Sequence, residues 1–163
     1  MVSQELVQAE IDEYVSMKLP DDSVEKDSVN TKTIIGKIHD GIIFITKAAL
    51  FENIKVENKK ALQKSLDDYH RGYLEGINAF NVKKTNKKIN GLLISIISCD
   101  AIRKGMDVKI WNVVFYLKNY HYNVLFLIPK KDNGNKYEKS VRKMLGSIKF
   151  NKNLSVKDQL NIP

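Results

Sequence analysis

The side chains of this chain that could do chemistry are few and scattered. Asp67 and Asp68 stand side by side with His70 two residues on, a combination that could exchange protons or hold a cation. Adjacent positions on a helix point in diverging directions, however, so a solvated polar face accounts for the trio more simply. Cys99 and Asp100 follow one another in ISIISCDAI. A nucleophilic thiolate there would need His39 or His121 as its base, whereas the apolar setting predicts a buried, inert thiol. If the chain were an enzyme, Cys99-Asp100 is where its chemistry would be sought. His39 lies beside a predicted turn, where an exposed imidazole explains it better than a ligand does.

Larger signatures are missing. One Cys and three separated His make no zinc pattern, and a single Cys forms no disulfide within the chain, so stability must come from packing. There is no Gly-x-Ser-x-Gly elbow, no phosphate-cradling Gly-rich loop and no His-Glu-x-x-His. No catalytic, cofactor-binding or metal-binding residue is assigned, and no cofactor is expected. The formal net charge of +8 permits nucleic acid, anionic lipid or an acidic protein as a partner. Arg occurs only at 71, 103 and 142, though, and Arg is the residue favoured for bidentate phosphate and base contacts. Abundant Lys, Asn and Ile together are also what an AT-rich coding genome produces. The densest basic patch, KKTNKK at 83–88, has no interleaved aromatic on which bases could stack. Lysines on a solvated edge strand, which discourage sheet-to-sheet pairing, explain it at least as well.

Positioning any of these residues falls to elements that the apolar periodicity lays out. Residues 1–13 read as an N-terminal arm or short helix, with Leu6, Val7 and Ile11 at helix-like spacing. Val15, Met17 and Leu19 alternate with polar residues in a strand that Pro20 stops, and 21–30 read as a loop. Two β-branched runs, 32–39 and 42–48, flank Asp40-Gly41 and predict a hairpin in which Gly41 supplies the positive φ. Leu62, Leu66, Tyr69, Tyr73, Ile77 and Phe80 then mark a helix face capped by Asn58, with Gly72 and Gly76 small enough to bring it close to a sheet. Lys83 to Lys88 is an edge strand or loop, and Gly91 to Cys99 reads as a central strand buried on both faces. Val108 to Lys118 and Tyr120 to Pro129 form a hairpin about Asn119. Trp111, Val113, Phe115 and Leu117 share one of its faces; Ile110, Val114 and Tyr116 share the other. A last helix from Asn135 to Gly146 buries Tyr137, Val141, Met144 and Leu145 and ends at Gly146. Ile148 and Phe150 return the chain to the sheet, and 151–163 form a polar tail.

This order predicts one α+β domain over 14–150, an α/β/α sandwich built on a twisted, mainly antiparallel sheet with helices on both faces. Its 163 residues suffice for one core. No stretch approaches the roughly 18 consecutive apolar residues of a membrane span.

The strand ending in Lys18-Leu19-Pro20, the long middle helix, the antiparallel run and the closing YHYNVLFLIPKKDNGNKYEKSVRKMLGSIKF together resemble the PsbP/Mog1/DcrB-like family. In that family a strand of the type Y-x-v-x-f leads through a polar turn into a helix and then into S-f/i-x-F. The resemblance implies an α/β/α sandwich without a shared catalytic site. It also implies an accessory or binding role, as in extrinsic photosystem subunits, a branch that binds a small nuclear GTPase, envelope lipoproteins, and chaperones for secreted effectors. No functional residue of those branches maps onto this chain, and none is carried over.

The expectation is therefore a non-enzymatic binding or accessory domain of a bacterial cell, contacting another protein through a sheet face or groove. A cytoplasmic chaperone for a secreted effector is the alternative, and Lys-mediated binding to nucleic acid or anionic lipid is a third reading. A native start at Met1 implies the cytoplasm; a signal segment lost from before it implies the periplasm or cell envelope. Oligomeric state is left open.

Overall fold

Period-two patterning dominates the chain because apolar β-branched residues alternate with polar ones over most of its length. The computed structural model describes residues 5–50, 56–130 and 134–160. In chain order these form β1 (Leu6–Glu10), β2 (Val15–Pro20), β3 (Val24–Ser28), β4 (Thr31–Ile38), β5 (Gly41–Ala49), α1 (Lys59–Gly76), β6 (Phe80–Ile89), β7 (Leu92–Arg103), β8 (Met106–Leu117), β9 (Tyr120–Pro129), α2 (Gly134–Leu145), β10 (Lys149–Phe150) and α3 (Lys157–Leu160).

A seven-stranded antiparallel sheet, ordered β3-β4-β5-β9-β8-β7-β6, carries a second, three-stranded sheet, β1-β2-β10. The expected single sheet is thus two. The small sheet and α2 cover one face of the large one: Val15, Met17, Leu19, Tyr137, Val141, Met144, Ile148 and Phe150 pack with Ile43, Ile45, Val113, Phe115 and Phe126. The opposite face takes α1 and α3, with Leu62, Leu66 and Leu160 against Val114. Helices therefore lie on both faces of one compact α+β domain.

Local chemistry explains the connections. Three hairpins turn through pairs of residues with positive φ: Asn90-Gly91, Lys104-Gly105 and Lys118-Asn119. Two such residues match the right-handed twist of the strands they join. The β4–β5 turn is shifted by one residue from the expectation. Ile38 pairs with Gly41, and His39 takes the positive φ, at 55°. Gly41 is required for another reason, since a Cβ there would meet Ile128 Cδ1 at 2.5 Å and the Leu127 carbonyl at 3.0 Å. It lets β5 pass close beside β9.

Helix α1 begins as its sequence predicts, with the Asn58 side chain accepting from the Ala61 amide at 2.8 Å. Gly72 and Gly76 do not bring it to the sheet, because an added Cβ at either would meet nothing within 4 Å. Leu62, Leu66 and His70 do.

Five further expectations change. The segment at 6–10 is a strand rather than a helix or free arm, running antiparallel to β2 from Leu6 opposite Pro20 to Glu10 opposite Ser16. So short a stretch has little helix-forming power of its own, and a ready ladder wins. The polar stretch 21–30 contains β3, paired with β4 and exposed along its whole length, which is why no burial pattern betrayed it. Gly91–Cys99 falls in β7, one strand in from an edge, while β9 is central. The tail is anchored, since the Gln159 side chain accepts from Leu93 N and donates to Leu93 O, each at 2.8 Å, and so occupies a strand-like position beside β7. Ile148 and Phe150 are buried as expected, but β10 joins the small sheet, with Phe150 opposite Val15.

Candidate functional site

The polar groups that the sequence placed together are pulled apart by the fold. His70 points inward, 2% exposed, with Nε2 3.1 Å from the Ser95 carbonyl. It continues the 62–66–70 ridge of α1, and that spacing is the signal by which its burial could have been found. Asp67 and Asp68 point outward. Asp67 is paired with Lys84 across to β6, and Asp68 lies 2.8 Å from Lys64 and 2.7 Å from Arg71. These are surface ion pairs along a helix flank, not an acid–base set.

Cys99 and Asp100 are neighbours on β7 and so face opposite sides of the sheet. Cys99 is sealed among Ala101, Val108 and Ile110 beneath the C-terminal half of α1, and burial pushes its thiol up. His39 is exposed and sets its ring edge against Tyr137, while the His121 ring lies tilted against those of Tyr69 and Tyr116. Neither histidine is placed to serve Cys99.

Asp100 is the centre of a built cluster. Asn81 Nδ2 donates to its Oδ2 at 2.9 Å, Lys130 Nζ lies 3.2 Å from Oδ2, and Lys109 Nζ lies 3.6 Å from Oδ1. Burial raises the carboxyl, but the bonds from Asn81 and Lys130 and the two lysine charges outweigh it and leave Asp100 below its ordinary value. Oδ1 has no hydrogen-bond partner among the described residues. Asn81, at positive φ, belongs to a bulge between Phe80 and Lys83, and that bulge aims its amide at Asp100.

A second cluster went unforeseen. Asp12 accepts from the Tyr14 and Val15 amides at 2.8 and 2.9 Å, pairs with Lys47 at 2.8 Å, and receives the Tyr122 hydroxyl. Lys47 Nζ also sits 4.1 Å above the Tyr120 ring. Burial raises Asp12, and the bonds from Lys47, Tyr122 and the backbone more than reverse that. The aspartate followed two and three residues later by amides it can cap is a turn signature in IDEYV, though nothing local points to Lys47. The group is saturated, and its effect is to fix the β1–β2 turn onto β5 and β9.

What remains open is the corner where β6, β7 and β8 end. Phe80 and Val82 are each 45% exposed, Ile102 61% and Met106 56%. The register puts Phe80 opposite Asp100, on the same face as Ile102, with Met106 beside Arg103 at the hairpin tip. From this corner β6 runs outward as the last strand of the sheet, exposed in nearly every residue, so KKTNKK is an edge strand. Lys84 is bound to Asp67, but Lys83, Lys87 and Lys88 have no carboxylate partner among the described residues.

The solved structure of LpqN, involved in cell envelope biogenesis of Mycobacterium tuberculosis, superposes with a TM-score of 0.50 over 90% of each chain at 13% identity. The chain has the PsbP/Mog1/DcrB-like fold. The Ran-binding protein Mog1p of Saccharomyces cerevisiae matches with a TM-score of 0.49, at 9% identity, over 90% of this chain and 96% of its own. No family model matches the chain, and no curated protein does. The likeness extends to architecture alone, so the site of this PsbP/Mog1/DcrB-like domain has to be argued from its own surface. No described helix is long and apolar enough to cross a membrane. Among the described residues no group of three or more His, Cys, Asp or Glu is arranged to hold a metal.

Proposed function

We propose that this chain is a non-enzymatic binding domain whose partner is another protein. The observation that carries the reading is the exposed apolar pair Phe80 and Ile102, which share one face at the corner where β6 starts and β7 ends, with Val82 beside them in sequence and Met106 at the adjoining hairpin tip also left in solvent. Exposed apolar groups gathered with polar neighbours mark interaction surfaces more often than they mark accidents of composition. Support comes also from the fate of the polar groups. Asp12 is saturated, Asp67 and Asp68 lie in ion pairs, and Cys99 is sealed with its thiol raised, so none is poised as a nucleophile or base.

Two measurements test this. A photo-crosslinking residue at Ile102, introduced in the native host, is expected to trap a protein, while the same residue at Lys149 on the far small sheet is not. A purified sample assayed against hydrolase and phosphatase substrates is expected to be inert. Turnover abolished by Asp68→Ala or Cys99→Ala would sink the reading.

A further inference from the structure

Strand β6 ends the seven-stranded sheet, so along its ten residues alternate backbone N–H and C=O groups point outward to whatever can pair with them. Three features of this edge specify what that is. The stretch from Phe80 to Lys109 holds seven Lys and Arg against two Asp, which makes it strongly basic. Of its two carboxylates, Asp100 is already shared by Lys109 and Lys130. Lys83 and Lys87 pair with Ser98 and Ile94 on β7, so both project from the same face, four residues and roughly 13 Å apart, without a carboxylate of their own.

We propose that β6 is a docking edge for an extended acidic segment of a partner protein, which adds as an eighth strand and places acidic side chains, four residues apart, opposite Lys83 and Lys87. Its apolar residue at the Phe80 end packs on Phe80 and Ile102. This names the partner chemistry of the binding domain proposed above and rests on that reading. Main-chain hydrogen bonds along the edge supply affinity, and the two lysines supply register and selectivity.

A second copy of this chain is a poor occupant of the same edge. Pairing β6 with β6 sets lysines against lysines, and like charges facing one another across a ladder are destabilising. The opposite edge, β3, is only five residues long and has Glu25 already bound to Lys32 at 2.5 Å. Nucleic acid is disfavoured because the edge offers no Arg fork among its lysines and no aromatic between Val82 and Ile89.

The test is a selection of random peptides of about ten residues, the length of β6, displayed on phage against the full chain. Enriched peptides are expected to be acidic, with Asp or Glu at positions n and n+4 and an apolar residue at one end. Their affinity, read by fluorescence anisotropy, is expected to fall roughly tenfold or more for Lys83→Glu/Lys87→Glu, and to fall with salt. Methylating the peptide amides that face β6 is expected to abolish binding. Both lysines are exposed, and a Lys83→Gln/Lys87→Gln variant, checked by thermal melting, separates lost charge from lost fold.

Enriched peptides without acidic pairs, equal binding to the double variant, or no enrichment at all overturn the proposal. So do concentration-dependent self-association through β6, and tight binding of duplex DNA or phosphatidylglycerol vesicles at physiological salt in place of peptides. If Ile102 still crosslinks a protein while the selection fails, the binding domain stands and the acidic strand falls.

Discussion

Beneath the small sheet and α2, the seven-stranded sheet buries Ile34, Ile38, Ile43, Ile45, Val113, Phe115, Val124 and Phe126, an almost purely apolar layer with Phe115 stacked 4.8 Å from Tyr122. Beneath α1 the same strands turn Ser95, Asn112, Asn123 and His121 inward, and α1 adds His70 from above. On this side Asn123 donates to Asn112, while His70 Nδ1, Asn112 Nδ2 and His121 Nε2 have no hydrogen-bond partner among the described residues. One face is sealed by shape and the other by a partly satisfied polar seam. Incomplete satisfaction of buried polar groups is costly, so the two faces should answer differently to the same insult.

The largest effect is expected on the apolar face. Phe150 lies edge-on to Phe115 at 5.1 Å and is buried at the point where β10 closes the small sheet. Phe150→Ala should cost about 3–5 kcal/mol in urea unfolding, with little dependence on pH. A variant as stable as the wild type would mean that the small sheet does not seal this face.

The seam should instead reveal itself in acid. Burial, with the nearby His70 charge, lowers His121 from 6.5 to about 4, and burial lowers His70 as well. Above the ordinary histidine value both folded and unfolded chains are neutral and no penalty exists. As pH falls from about 6.5 towards 4, the unfolded chain takes up protons that the fold refuses, so stability drops through that window and levels off below it. After a discount for partial exposure, His121 contributes about 2 kcal/mol of this loss. His121→Phe should flatten the limb. The lowered carboxylates, Asp12, Asp67, Asp68, Asp100 and Asp158, lose their stabilisation only below their ordinary 3.8, so the two effects separate on the pH axis. An unchanged acid limb in the histidine variant would place the pH sensitivity elsewhere.

The smallest effect isolates the helix that covers the seam. Asn58→Ala removes the cap of α1 and should cost about 1 kcal/mol. Amide exchange should quicken in the first turns of α1 while α2 is unaffected. Equal acceleration in both helices would show that the two covers unfold as one unit.

What could be read in advance follows the same division. The α1 stripe as far as Tyr73, the α2 stripe, the Lys118-Asn119 hairpin and the two faces of β8 were legible because apolar side chains repeat at the period of the element that holds them, whereas Phe80, expected at the end of the α1 stripe, opens β6 and is exposed. β1 and β3 were not legible, because they lie at sheet edges where pairing is satisfied through the backbone and leaves no mark in the side chains. His70 was read as solvent-facing because polarity was weighed above position, although it stands four residues after Leu66 on the buried ridge. The Asp100 cluster was half legible. The aspartate was singled out, but its partners Asn81, Lys109 and Lys130 come from three other segments, and a bulge decides the aim of one of them. Gly41 was noticed for the wrong reason, since its role is proximity to β9.

The position of β2 sets a timetable. β3 to β9 join neighbours made just before or after them, apart from the β5–β9 pair, whereas β2 can be flanked on its second side only when Lys149 and Phe150 have been made. A nascent chain halted before residue 149 would hold the wide sheet with its lid unlatched. Long-range pairing comes late in folding, so pulse-labelled refolding should protect β7, β8 and β9 before β2 and β10. During that interval the most apolar surface of the protein faces the cell.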